Sequence, residues 1–209
     1  LKEMPNVIVK NRSQVFGYYD HNMLVMSEKL SDHLPKTKKY NPKQRLWYIR
    51  AKEVVISSGS IERPLVFGNN DTPGVMLSSA AKEYLKVYGV LVGKKPLIFT
   101  NNDSGYETAI EFKKNGVDPV VLDTRKELKS EIIDEAKKLN IQIKFSYVVV
   151  AAKGYKKVKS AEVAKISDDK NELGTLENIN CDCICVSGFW TPTIHLASQS
   201  GNKTTFNKD

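Results

Sequence analysis

The sequence predicts an α/β chain in which one mononucleotide-type domain is opened to admit a second. Two apolar runs, Val54-Val55-Ile56-Ser57-Ser58-Gly59 and Cys183-Ile184-Cys185-Val186-Ser187-Gly188, stop in the same way at Ser-Gly. Each reads as a buried parallel strand whose carboxyl end opens on a crevice, where open α/β sheets hold their ligands. Between them, Lys95 to Asp123 has the proportions of a strand–loop–helix–strand dinucleotide unit.

The elements follow in order. Asn6-Val7-Ile8-Val9 reads as a short strand, and Gln14 to Tyr19 as a second after the turn-like Asn11-Arg12-Ser13. Asn22 to Met26 makes a third. Residues 29–45 are polar and basic and carry Pro35 and Pro42, an exposed excursion. Arg45 to Ala51 resumes a strand and leads into the first Ser-Gly run. With no helix in the first seventy residues, this sheet has one face uncovered and needs a partner segment.

From Asp71 helix and strand alternate. Ser78–Tyr88 is helical and stops at Gly89, and Pro96–Phe99 is a buried strand. Ser104–Asn115 is a helix closed by Gly116, followed by the strand Val120–Leu122, which ends in Asp123. Lys126–Asn140 reads as an amphipathic helix with Leu128, Ile132, Ala136 and Leu139 on one face. Ile141–Val150 and Val158–Ile166 read as strands of a second meander, before the return through Cys183–Val186. The fold class is therefore a three-layer, Rossmann-like FAD/NAD(P)-binding architecture. Residues 1–70 supply part of a first dinucleotide domain, 71–188 an inserted second one, and 189–209 the return to the first.

A chain of 209 residues, 41% hydrophobic, can bury one large core or two modest ones. No stretch approaches the length that spans a bilayer, which argues against a membrane protein. The opening Leu1-Lys2-Glu3-Met4-Pro5 lacks a signal peptide's apolar core, and its lack of an initial Met suggests a piece of something longer. Three cysteines within Cys181–Cys185 make no disulfide framework, which points to a reducing, cytoplasmic setting. The net charge of +8 comes from lysines scattered over helix backs and hairpin edges, with no aromatic-interleaved motif, so nucleic acid is not the expected partner. Steering of an anionic cofactor or an acidic partner subunit fits better.

The loop Thr100-Asn101-Asn102-Asp103-Ser104-Gly105 occupies the place of the Gly-x-Gly-x-x-Gly turn that lets backbone N–H groups reach a pyrophosphate. Only its third glycine, Gly105, is present. Thr100 and Asn102 carry side chains where close approach demands none, so a structural loop is favoured over a working site built on Asn side chains. Asp123 stands where a carboxylate would hold a ribose 2′-hydroxyl, and Arg125 where a 2′-phosphate would be met; with the glycines missing, both read as solvated strand-end residues. Cys181, Cys183 and Cys185 alternate, placing the three thiols on one strand face as core residues; no metal site is expected. His21, His33 and His195 belong to no motif, and no nucleophile elbow, carboxylate pair or Walker loop appears.

Several segments are more specific. Arg45-Leu46-Trp47, Arg50-Ala51-Lys52, Gly59 to Phe67, Asn70 to Leu77 and Phe99 to Ser104, with Val15 to Asn22 and Val186 to Pro192, together resemble the alpha subunit of heterotetrameric sarcosine oxidase. Subunits of N-methylglutamate dehydrogenase, opine oxidases and hydrogen cyanide synthase share some of these segments. The resemblance implies an NAD-binding domain entered by a glycine-rich turn and a folate-binding domain, neither within these residues, with FMN or FAD chemistry on an N-methyl amine largely in or beside another subunit. It carries no catalytic residue onto this chain. It places Gln14 and Val15 near an adenine edge, Ser58 and Gly59 near the NAD pyrophosphate, and Ser187 and Gly188 where the crevice closes. The expected function is the central nucleotide-binding region of such a subunit, inactive alone and assembled with the other sarcosine oxidase-type subunits. Two alternatives remain: a stand-alone NAD(P)H reductase module using Thr100–Gly105, and a docking scaffold without nucleotide.

Overall fold

The computed structural model describes residues 3–35, 40–167, 172–201 and 203–205. The chain divides into two compact units, Leu1–Ser60 with Pro192–Asp209 (unit 1) and Ile61–Thr191 (unit 2). The crossings thus fall at 60/61 and 191/192, where the sequence suggests 70/71 and 188/189.

Unit 1 is built on the antiparallel meander β1 (Ser13–Tyr19), β2 (Met23–Lys29) and β3 (Gln44–Arg50), in the order β1-β2-β3. Asp20 to Met23 closes the first hairpin with His21 and Asn22 both at positive φ (57° and 53°), the primed turn whose twist matches paired strands. A bulge at Phe16 shifts the register between Val15 and Gly17, and the Tyr19 ring packs over Gly17, 2.6 Å from where a Cβ would stand. Trp47 donates its indole N–H to Glu28 at 2.7 Å and carries Lys10 over its ring at 4.4 Å. That indole bond, ahead of the Lys10 and Arg45 charges, lowers the Glu28 pKa.

Two expected strands are not formed. Among the described residues Val7 to Val9 join no ladder, the Val7 N–H donating only to the Met4 carbonyl of its own turn, and no backbone hydrogen bond joins Val54–Ser57 of the first Ser-Gly run. Val55 is 92% exposed. An apolar, β-branched segment has strand propensity but no ladder of its own, and here no neighbour supplies one.

Unit 2 has three layers. Its central sheet is parallel, in the order β5 (Val75–Leu77), β12 (Cys183–Ser187), β6 (Pro96–Thr100), β7 (Val120–Asp123), β8 (Gln142–Phe145). Both β6 and β12 are buried throughout, as continuous apolar runs in a doubly covered sheet should be. Their side chains alternate between two cores. Ile98, Cys183 and Cys185 meet α1 (Ser78–Tyr88), α2 (Ser104–Lys114) and α3 (Glu131–Lys138); Leu97, Phe99, Ile184 and Val186 meet β9 (Tyr147–Gly154) and β10 (Val158–Lys165). β11 (Glu177–Asn180) completes that antiparallel layer, and β4 (Ser60–Glu62) pairs with β13 (Trp190–Pro192). The short α4 (His195–Gln199) belongs to unit 1.

The helix ends fall where glycine signals them: Gly89 and Gly116 have φ of 63° and 77°. Helix α3 is shorter than expected, starting at Glu131 instead of Lys126: Ser130 is itself extended (φ −153°, ψ 137°) and its hydroxyl is spent on Asp103. The single strand expected over Ile141–Val150 breaks at Ser146 (φ 57°), where the chain leaves the parallel sheet for the antiparallel one. No helix among the described residues is long and apolar enough to cross a membrane.

Candidate functional site

Unit 1 gathers three of the sequence-expected site residues around one cavity of about 460 Å³. Gln14 and Val15 enter from β1, Leu24 from β2, Val54, Ile56 and Ser58 from the unpaired run, and Leu196 from α4. Apolar walls with a few polar edges are the usual make-up of a small-molecule site. The run is held at its end: the Ser58 hydroxyl donates to the Thr193 carbonyl at 2.6 Å, and the Thr193 N–H donates to the Gly59 carbonyl at 2.9 Å. Gly59 has φ 68°, and a Cβ there would meet nothing within 4 Å, so its surroundings are open. The Tyr18 N–H bonds the Gln199 carboxamide at 3.0 Å, tying α4 to β1.

Ser187 and Gly188 lie in unit 2, beside the Thr100–Gly105 loop. The Asn101 N–H donates to the Ser187 carbonyl at 3.3 Å, and the Gly188 N–H to the Arg63 carbonyl at 2.7 Å. A Cβ on Gly188 would stand 2.5 Å from that same Arg63 oxygen, so the close approach of these two backbones requires glycine.

Asp123 and Arg125 are not the solvated pair expected. Asp123 is fully buried; it accepts the Tyr106 hydroxyl at 2.7 Å and the Arg125 Nη2 at 2.9 Å, while the Arg125 backbone N–H reaches its other oxygen at 2.9 Å. Arg125 also bonds Asp103 at 2.8 Å, and Asp103 accepts the Ser130 hydroxyl. Burial pushes the Tyr106 hydroxyl pKa up, helped by Asp123. Burial works against the Asp103 carboxylate, but the Arg125 and Ser130 hydrogen bonds outweigh it and lower its pKa. Sequence reasoning found Asp123 and Arg125 but missed Asp103, whose only signal is its position one residue before the helix.

Glu62 is a second buried acid that the sequence did not single out. Its Oε2 accepts the Ser79 N–H at 2.8 Å and the Ser79 hydroxyl at 2.5 Å, capping α1 from β4.

The cysteines do not share one face. Cys183 and Cys185 point into the helix-side core with their sulfurs 3.6 Å apart, whereas Cys181 precedes β12 and packs in the opposite core. All three are buried and free. Burial, ahead of Cys183 and Asp182, pushes the Cys181 thiol up to about 12. The Cys183 hydrogen bond and then burial raise that of Cys185. No group of three or more metal-ligating side chains occurs among the described residues.

No protein-family model matches the chain. It is 37% identical, over its full length, to "Sarcosine oxidase subunit alpha" of Rhizobium meliloti (strain 1021), and 34% identical over 92% of its length to the subunit of the same name from Corynebacterium sp. (strain P-1). In each case it spans only 20% of the relative's length. Among solved structures, the thioredoxin reductase of T. acidophilum aligns with a TM-score of 0.61 at 17% identity, covering 78% of this chain and 53% of that one. The L-proline dehydrogenase of P. horikoshii aligns at 0.56 and 20% identity, covering 94% and 31%. Those likenesses establish the Rossmann-like α/β fold. The curated relatives are closer in sequence, and the chain is related along its whole length to about one fifth of the sarcosine oxidase alpha subunit.

Proposed function

We propose that this chain is the central nucleotide-binding region of a sarcosine oxidase-type alpha subunit. It takes part in oxidative demethylation of an N-methyl amine within a multisubunit flavoenzyme. The observation that carries this reading is the 37% identity over the full chain to such a subunit. Residues 1–70 and 189–209 belong in it to a first dinucleotide domain and 71–188 to an inserted second one.

The unit 1 cavity fits an adenosine portion of NAD on its own terms. Val15, Val54, Ile56 and Leu196 offer apolar walls, Gln14 and Ser58 offer hydrogen-bonding edges, and Gly59 is open to the approach of a bulky anion. NAD carries a ring that accepts hydride; the residues of this chain bind and orient the nucleotide and do no chemistry on the amine. Ser187 and Gly188 lie in unit 2 and are not among the residues that line this cavity. The flavin, FMN or FAD, and folate belong to other parts of the assembly, and the partners are the other sarcosine oxidase-type subunits.

The intact subunit, assembled with its partners, tests this. NAD released on denaturation should approach one equivalent, and Ser58→Trp, which fills the cavity, should lower it several-fold. Full NAD content in a correctly assembled Ser58→Trp enzyme would remove the cavity from the proposal.

A further inference from the structure

We propose that the nucleotide crevice of unit 2 is occupied by the protein's own side chains, so that this second dinucleotide-type fold takes no dinucleotide. The inference stands independently of NAD binding in unit 1.

The loop after β6 is folded onto itself. The Thr100 hydroxyl donates to the Asn102 carbonyl at 2.8 Å and accepts the Asn102 N–H at 3.1 Å. Its Cβ lies 2.6 Å from where a Cβ on Gly105 would be, so loop and helix are already at their closest approach. Thr100 is fully buried, filling the space that a motif glycine would leave for a ligand.

The Asn102 carboxamide then acts as an internal ligand. Its Oδ1 accepts the Ser104 N–H at 2.9 Å, one of the amides at the start of α2 that a pyrophosphate oxygen would use. Its Nδ2 donates to the carbonyls of Ser187 and Gly188 at the end of β12. A carboxamide answers both neighbours, amide and carbonyl; a phosphate answers only the first, and its charge would face two carbonyl oxygens. Trp190 adds a lid from β13, donating its indole N–H to the Ser104 hydroxyl at 2.6 Å.

The ribose end is closed in the same way. Both oxygens of Asp123 are engaged, by Tyr106 and by Arg125, leaving none directed at a 2′-hydroxyl. The guanidinium that a 2′-phosphate would need is held between Asp123 and Asp103. Pyrophosphate and ribose positions are thus filled by two polar chains, Ser187–Asn102–Ser104 and Asp103–Arg125–Asp123–Tyr106.

The test is a residue-resolved NMR titration of the whole chain with NAD+ and with NADP+, following the amides of Thr100 to Gly105 and Ser187 and the Trp190 indole N–H. Below about 1 mM nucleotide none of these should show a saturating shift. Saturation at micromolar concentration overturns the proposal. In a folded Thr100→Gly/Asn102→Gly chain the same signals should titrate with affinity improved at least about tenfold. A folded double variant that stays silent overturns the assignment of the block to these two side chains, and the titration of the unaltered chain decides even if the variant does not fold. All the reporters lie in unit 2, so binding at Gln14 or Ser58 in unit 1 is read separately, and failure of either reading can be told from failure of the other.

Discussion

Asp103 and the cysteines show how far single residues can be read. The cysteines are recognisable as core thiols from their apolar setting, but their faces are not. Alternation puts three on one side only if the strand includes all of them, and β12 begins at Cys183. With Cys181 and Cys185 both raised and buried, a thiol reagent at neutral pH should label none of the three in the folded chain and all three in denaturant. Rapid labelling of native chain would contradict the packing. Asp103 makes a pH prediction. Its folded pKa lies below the ordinary 3.8, so the stability that its Arg125 and Ser130 bonds add is fully present above that value and is lost as pH falls through the lower, folded one. Asp103→Asn should therefore lower stability at pH 7 and flatten its decline below about pH 4. Chemical denaturation of both proteins from pH 7 to pH 2.5 measures this; parallel pH curves would show that the bridge adds nothing. Because Asp103 is partly exposed, the effect should be small. No sequence pattern announces this bridge, since it joins residues 103, 123, 125 and 130 only after β6 and β7 are aligned.

Individual elements were legible where their ends carry backbone signals. Helices α1 and α2 begin and end within a residue of expectation because Gly89 and Gly116 supply the left-handed C-terminal turn. Strands β6, β7 and β12 are apolar runs with no other use. What failed were elements whose limits depend on a distant partner: α3, shortened by Ser130, and the strand broken at Ser146. Two substitutions test element packing. Glu62→Ala removes the buried acceptor of both Ser79 groups at the start of α1 and should cost about 1–2 kcal/mol of unit 2 stability. A loss within error would mean that water replaces the carboxylate without penalty. Gly105→Ala sets two effects against each other: helix propensity favours Ala by about 1 kcal/mol, whereas a Cβ at 2.6 Å from Thr100 costs about 1–3 kcal/mol. The clash should win, and in a Thr100→Gly background the same substitution should turn neutral or stabilising. If Gly105→Ala stabilises the unaltered chain, Thr100 does not crowd the helix.

At the scale of the whole molecule the two units differ in how complete they are. Unit 2 covers both faces of its parallel sheet, with helices on one side and β9, β10 and β11 on the other. Unit 1 has a three-stranded meander and a five-residue helix, with an apolar run that joins no ladder among the described residues. The sequence foretold that one-sidedness from the missing helices before Asp71. It did not foretell that Val54–Ser57 would stay out of any sheet, because apolar β-branched residues signal a strand whether or not a neighbour is present. Hydrogen exchange can follow the difference. In the chain alone, amides of β6, β7 and β12 should exchange slowly, those of β1 to β3 faster, and those of Val54 to Ser57 fastest, since local opening costs least where hydrogen bonds are fewest. The same chain should show no sarcosine oxidation, with or without added FMN, because among the described residues no carboxylate, histidine, lysine or cysteine lines the unit 1 cavity. In the intact subunit, Val54 to Ser57 should become protected if another strand of the first dinucleotide domain pairs with them. Slow exchange of these four amides in the chain alone would mean that unit 1 completes its own sheet, and the reading of 1–70 as part of a larger domain would fall with it.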